Sequence, residues 1–245
     1  MILTSDNDND CHALTACIRE RTEGSSGWDR LGQLLLKLDQ PQKAEEVYNL
    51  LLEQATTDEA QKASIYHRLG SAKCHQTKHK EAIALYERAL EIRQRVLPSN
   101  HPDLAMSYNN IGNGYCAIDD YSKAISSHEK ALQIRLEALP ANHPDLAHSY
   151  DNIGSMNYKM NQYSKALLSY EKALRIRQQS LPPNHPDLAI SCNNIGTVYR
   201  NMGEYLEARS FYEHAVDIGQ RSLPSNHSHL QIFRKNLAVI RELCQ

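Results

Sequence analysis

Residues 139–154 read Leu139-Pro140-Ala141-Asn142-His143-Pro144-Asp145-Leu146-Ala147-His148-Ser149-Tyr150-Asp151-Asn152-Ile153-Gly154. The same frame recurs on both sides. Leu-Pro occurs at 97, 139, 181 and 223, always 42 residues apart, and Asn-Ile-Gly occurs at 110–112, 152–154 and 194–196. Residues 97–138 and 139–180 align without a gap at 24 identities in 42 positions. Agreement at that level is a repeat, and a fixed period of this size is the signature of stacked units.

Each period holds two helical patterns. From Asp145 to Lys159, Leu146, Ala147, Tyr150, Ile153, Gly154 and Tyr158 mark one buried stripe at i, i+3, i+4. Asn161-Gln162 reads as a turn. From Tyr163 to Gln179, Ala166, Leu167, Tyr170, Ala173 and Leu174 mark a second stripe, and Lys165, Glu171, Lys172, Arg175 and Arg177 read as its solvated face. Leu181-Pro182 closes it, since a residue before proline is pushed away from helical angles. Gly112, Gly154 and Gly196 fall mid-helix, where glycine costs about 1 kcal/mol against alanine. Close approach of the partner helix backbone, with Ala124, Ala166 and Ala208 on the other side, is the expected compensation. In the linker, Pro102, Pro144 and Pro186 suit a first helical turn, and Asp103, Asp145 and Asp187 suit the positive end of the helix dipole. His101, His143 and His185 are expected to cap these helices rather than share a metal, because they occur once per repeat.

These residues resemble the tetratricopeptide repeat, whose pattern is a large residue, Leu-Gly, an aromatic, then Ala, an aromatic and Ala. Tyr108, Ile111, Gly112, Tyr115, Ala124, His128 and Ala131 make one unit. Equivalent units surround Gly154 and Gly196, and earlier ones run from Trp28 to Leu51 and from Tyr66 to Ala89. The expected fold is all-α, a right-handed α-solenoid of five helix pairs with a C-terminal capping helix. Its parts are a polar segment with a short helix (1–25), a divergent first repeat (26–56), four repeats (57–228) and the cap (229–245). A terminal cap is what a solenoid needs.

The 42-residue period, with N-H-P-D-L-A ahead of S-Y-N-N-I-G, resembles kinesin light chain repeats over roughly residues 60–244. That resemblance implies binding of cargo peptides in a concave groove. Kinesin light chains also carry a heptad coiled coil that binds the motor heavy chain. Residues 1–25 are too short and too poor in heptads to supply one, which leaves motor association unsupported. Residues 3–8, Leu14-Thr15, Cys17–Glu20 and Gly27–Leu35 resemble a different context: the join in multidomain proteins where an arginine-specific ADP-ribosyltransferase domain precedes such repeats. On that resemblance the chain is the non-catalytic repeat portion of a mono-ADP-ribosyltransferase-type protein, and an upstream transferase domain is the missing part.

Composition narrows the function. The formal net charge of −2 supplies no basic field for nucleic acid. No stretch approaches the roughly 18 apolar residues of a membrane span, and the acidic start is unlike a signal peptide. A cytoplasmic protein is expected. Six cysteines without a C-x-x-C pair read as free thiols. Cys74, His75 and His79 cluster in sequence, but both histidines fall in a turn, so no metal and no cofactor are expected. Nucleotide-loop, dinucleotide and zinc-protease motifs are missing, and no catalytic activity is expected.

A ligand is expected on the exposed side of the first helices. There the period places Asn109, Asn113 and Cys116, then Asp151, Ser155 and Tyr158, then Asn193, Thr197 and Arg200. Lys159, His67 and His148 make the groove mildly cationic. Asn110, Asn152 and Asn194 form a ladder with one amide per repeat. An amide offers two donors and an acceptor, so the ladder suits two roles equally: pairing with the backbone of an extended peptide, or bonding between repeats. The expected partner is a protein or peptide with mixed polar and apolar anchors.

Overall fold

A computed structural model describes residues 25–55 and 58–244. Among them are eleven helices and no strand. The N-terminal stretch that carries most of the transferase resemblance lies outside the described residues. Two compact units meet at Leu97/Pro98. The first holds α1 (Ser25–Lys37), α2 (Pro41–Gln54), α3 (Glu59–His75) and α4 (His79–Val96). The second holds α5 (Pro102–Ala117), α6 (Tyr121–Ala138), α7 (Pro144–Lys159), α8 (Tyr163–Ser180), α9 (Pro186–Met202), α10 (Tyr205–Ser222) and α11 (Ser228–Leu243). In each unit consecutive helices pack together, and the fold is that of tetratricopeptide helix pairs.

The linker chemistry sets the helix starts. His101, His143 and His185 accept the Asp103, Asp145 and Asp187 amides through Nδ1 at 3.1–3.2 Å, and proline occupies the first turn. His227 repeats the device on the His229 amide at 3.2 Å. This is the capping role expected of these histidines. Leu139, Leu181 and Leu223 are extended ahead of their prolines, which ends the second helices. Within each pair, one residue takes a left-handed φ: Asp39 (56°), Thr77 (60°), Asp119 (61°), Asn161 (58°) and Gly203 (83°). A left-handed residue turns the chain back after the first helix.

Alanines 44, 82, 124, 166 and 208 are fully buried at the crossings. The mid-helix glycines differ from expectation. A β-carbon on Gly112 would meet the His128 ring at 2.7 Å, and on Gly154 the Tyr170 ring at 2.9 Å. The glycine makes room for the partner's ring, not for its backbone. At Gly196 a backbone atom is close as well, the Ala208 carbonyl at 3.2 Å, after the Tyr212 ring at 3.0 Å. The aromatic thus stays in the core, where its burial outweighs the propensity lost at one glycine. Above the pairs, Arg88, Lys130 and Lys172 lie over the Tyr66, Tyr108 and Tyr150 rings at 5.1, 5.4 and 5.3 Å. These second-helix cations are exposed, as expected of Lys172, and at the same time cover first-helix tyrosines.

Candidate ligand-binding face

In the second unit, α5, α7 and α9 are the first helices of successive pairs, and α11 follows at the same place in the period. Their packing against second helices uses the residues around each glycine, which leaves another side of each helix for polar residues. Two amide pairs tie these helices together. Asn152 Nδ2 donates to Asn109 Oδ1 at 2.9 Å, and Asn236 Nδ2 donates to Asn193 Oδ1 at 2.8 Å. The ladder therefore bonds between repeats at these two of its three rungs. Asn236 stands 42 residues after Asn194 and was readable from the period.

The middle rung differs. Asp151 stands where Asn109 and Asn193 stand, and it makes no bond with Asn194. Its Oδ1 is buried without a hydrogen-bond partner. Its Oδ2 accepts from Arg177 of α8, which also donates to the Ser191 hydroxyl at 2.6 Å. Burial pushes the Asp151 carboxyl above the ordinary aspartate range, and Arg177 pulls it back down. Arg177 was read as solvated but is only 12% exposed, because its side of α8 meets the next repeat's first helix. Arg135 makes the same reach to Ser149 at 2.6 Å. Nothing in one helix's periodicity separates a solvated cation from one that meets the next repeat.

The other expected residues fall into two groups. Tied into the scaffold are Ser155, bonded to the Tyr170 hydroxyl, and Thr197, which accepts from Tyr212 at 3.1 Å. Tyr158 accepts from Asn201 of the next first helix at 2.7 Å, and its ring lies 5.9 Å from that of Tyr163, tilted against it. Lys159 is exposed but lies 5.2 Å over the Tyr121 ring. More open are Asn113, which is exposed, and Asn194 and Arg200, which are half-buried. Asn110 is half-buried beside Asn109. In the first unit, His67 contacts Arg93 at 3.5 Å and the Tyr86 ring at 5.2 Å. The Cys74 sulfur receives the Tyr86 hydroxyl at 3.8 Å, and burial raises its thiol. Burial likewise pushes Cys192 up to about 11, so this thiol is held protonated at neutral pH. No described helix is long and apolar enough to cross a membrane.

The face is thus a polar surface of amides, hydroxyls and one or two cations on knitted helices. It can offer hydrogen bonds to an extended chain.

Comparison with solved structures agrees with this fold. BtubC (BKLC) from P. vanneervenii matches with a TM-score of 0.72 at 23% identity, over 82% of this chain and 83% of that one. A putative kinesin light chain with nearly identical repeats from Podosopora anserina matches at 0.72 and 22%, over 80% and 96%. YrrB, a repeat protein with an unusual peptide-binding site, matches at 0.57 and 19%, over 91% and 98%. No curated protein sequence matches the chain. Tetratricopeptide repeat models match residues 25–58, 61–137, 112–179 and 169–221, most of the chain, which therefore belongs to the tetratricopeptide repeat family.

Proposed function

We propose that the chain is a non-catalytic cytoplasmic adaptor that binds a protein ligand as an extended peptide along α5, α7 and α9. The observation that carries this reading is the interrupted ladder. Two rungs consume their amides in bonds between repeats, whereas the Asp151–Asn194 rung is unmade because Arg177 holds the carboxylate. Asn194 keeps its donors and acceptor for a ligand backbone, with Arg200 six residues on and Asn113 on the same side of α5 to fix the peptide's ends. Peptide binding in the similarly folded YrrB supports the general mode.

The test is random-peptide display on the full chain, followed by titration of enriched peptides. Asn194→Ala and Arg200→Glu should each weaken them about ten-fold, roughly the 1–2 kcal/mol of one or two hydrogen bonds. Peptides whose affinity ignores both variants, with folding intact by circular dichroism, overturn the assignment.

The resemblance of residues 3–35 supports a second reading, in which this adaptor is the repeat portion of a mono-ADP-ribosyltransferase-type protein. An in-frame transferase domain upstream of Met1 in the coding sequence supports it; a stop codon there overturns it.

A further inference from the structure

Tyr199 and Glu207 stand at a crossing that recurs every 42 residues, where the last turn of a first helix meets the first turn of its second helix. The three earlier places are Lys73/Glu81, Tyr115/Lys123 and Asn157/Lys165, and each includes a lysine. Lys73 of α3 pairs with Glu81 of α4 at 2.8 Å and with Glu45 of α2 at 2.8 Å. Lys123 of α6 lies 5.1 Å over the Tyr115 ring. A lysine is thus received by carboxylates at one crossing and by a ring at another. The last crossing has both receptors, the Tyr199 ring and the Glu207 carboxylate, and no lysine. Its surroundings extend the pattern. Tyr199 stacks on Phe211, one turn beyond Glu207 on α10, with centroids 5.6 Å apart and planes at 18°. The two rings pack with Leu167 and Leu174 of α8, and Glu171 lies between those leucines on the same side of that helix. Glu204 donates its backbone amide to the Tyr199 carbonyl at 3.0 Å. Glu171, Glu204 and Glu207 are exposed, and none is in an ion pair among the described residues. The other two carboxylates of α10, Glu213 and Asp217, are each paired with an arginine. Burial, and then Glu171, Glu207 and Glu204, push the Tyr199 hydroxyl above the ordinary tyrosine range.

We propose that this crossing receives a lysine side chain of a protein partner, its alkyl stem against the Tyr199–Phe211 pair and its ammonium beside Glu207 and Glu171. Three arguments select this occupant. The protein fills the same crossing with its own lysine elsewhere, so the space suits that side chain. An ammonium is attracted both to an aromatic face and to carboxylates, and here the two kinds of receptor converge. The four-carbon stem covers apolar surface while its charge stays at the rim, which matches half-buried rings edged by exposed glutamates. Tyr199 is turned towards α8 and α10, so the proposal does not depend on the amide ladder binding a ligand.

NMR titration of the full chain with acetylated tetralysine amide tests this, with tetraglutamate as the control for charge. Tetralysine is expected to shift the Tyr199 and Phe211 ring protons saturably, and tetraglutamate is not. Glu207→Lys restores an internal lysine in the manner of Tyr115–Lys123, so it keeps the fold and should weaken tetralysine about ten-fold or more. Glu171→Gln changes only an exposed side chain and should weaken it about three-fold, as the loss of one exposed ion pair does. Asp217→Asn, further along α10, should leave the affinity unchanged. Tetralysine that binds without moving the two rings overturns the proposal. So does an affinity indifferent to both glutamate variants, or one that Asp217→Asn lowers as much, which reduces the effect to general attraction between charges.

Discussion

The Asp151 carboxylate is held by the Arg177 guanidinium of the following helix, and this bond withdraws Asp151 from the amide ladder to which its position belongs. The neighbouring repeat shows the alternative: Asn109 there accepts from Asn152, while Arg135 reaches Ser149 without a carboxylate. Asp151→Asn is therefore expected to be nearly neutral, within about 1 kcal/mol, because it recreates an arrangement already present one repeat away. Arg177→Met is expected to destabilise by about 3 kcal/mol, since it leaves a largely buried carboxylate without its cation. Urea unfolding separates the two, and equal losses in both variants contradict the arrangement. Asp151→Asn should also weaken peptide binding, because Asn194 gains an acceptor within the protein.

That contrast shows what was legible beforehand. The period, the helix pairs, the proline starts and the histidine caps rest on residue types whose backbone effects are local, so they could be read directly. Asn152 bonding to Asn109 was one of two open readings, because an amide serves a neighbour or a ligand equally well. Arg177 was misread, because its role depends on the face of a helix 14 residues downstream. The glycines were read correctly as close contacts, but the nearest partner is a ring: Gly112 meets the His128 imidazole first, whereas at Gly196 the Ala208 backbone is close as well.

His128 is 1% exposed at the position filled by Tyr86, Tyr170 and Tyr212 in other repeats, and its Nδ1 has no hydrogen-bond partner. Burial, helped by His148 and Arg135, lowers its pKa from 6.5 to about 4. Between those values the unfolded chain takes up a proton that the folded chain refuses. The stability that neutral His128 contributes is thus present above pH 6.5 and is lost as pH falls towards 4, about 3 kcal/mol in all. His128→Tyr should flatten this part of the pH profile and leave stability at pH 8 equal or higher. Chemical denaturation between pH 4 and 8 checks it; parallel profiles for the two proteins refute the assignment.

Gly112→Ala should unfold more easily by about 1–3 kcal/mol despite alanine's better helix propensity, because the new methyl meets a fully enclosed imidazole at 2.7 Å. Gly203→Ala should cost about 1 kcal/mol for a different reason. No atom lies within 4 Å there, but φ is +83°, where an L side chain is strained. A crowded site relaxes when its neighbour shrinks and a strained backbone does not. Leu can take the place of His128 to test this: it should reduce the loss from Gly112→Ala and leave that from Gly203→Ala unchanged. Thermal melts of the single and double variants decide.

The histidine caps permit a sharper distinction between structure and chemistry. His143 Nδ1 accepts the Asp145 amide at 3.2 Å, and His185 accepts the Asp187 amide at the same distance. The ring thus does what an asparagine or serine oxygen does at a helix start. His143→Ala should cost about 1 kcal/mol and speed amide exchange in the first turn of α7, whereas His143→Asn should restore most of both, because its side chain also supplies an acceptor close to the backbone. If the imidazole instead served a ligand or a metal, asparagine would fail to replace it in binding while stability stayed intact. Exchange rates at Asp145 and Leu146 in the three proteins tell these roles apart, and equal rates in wild type and His143→Ala would show that the ring does not cap the helix.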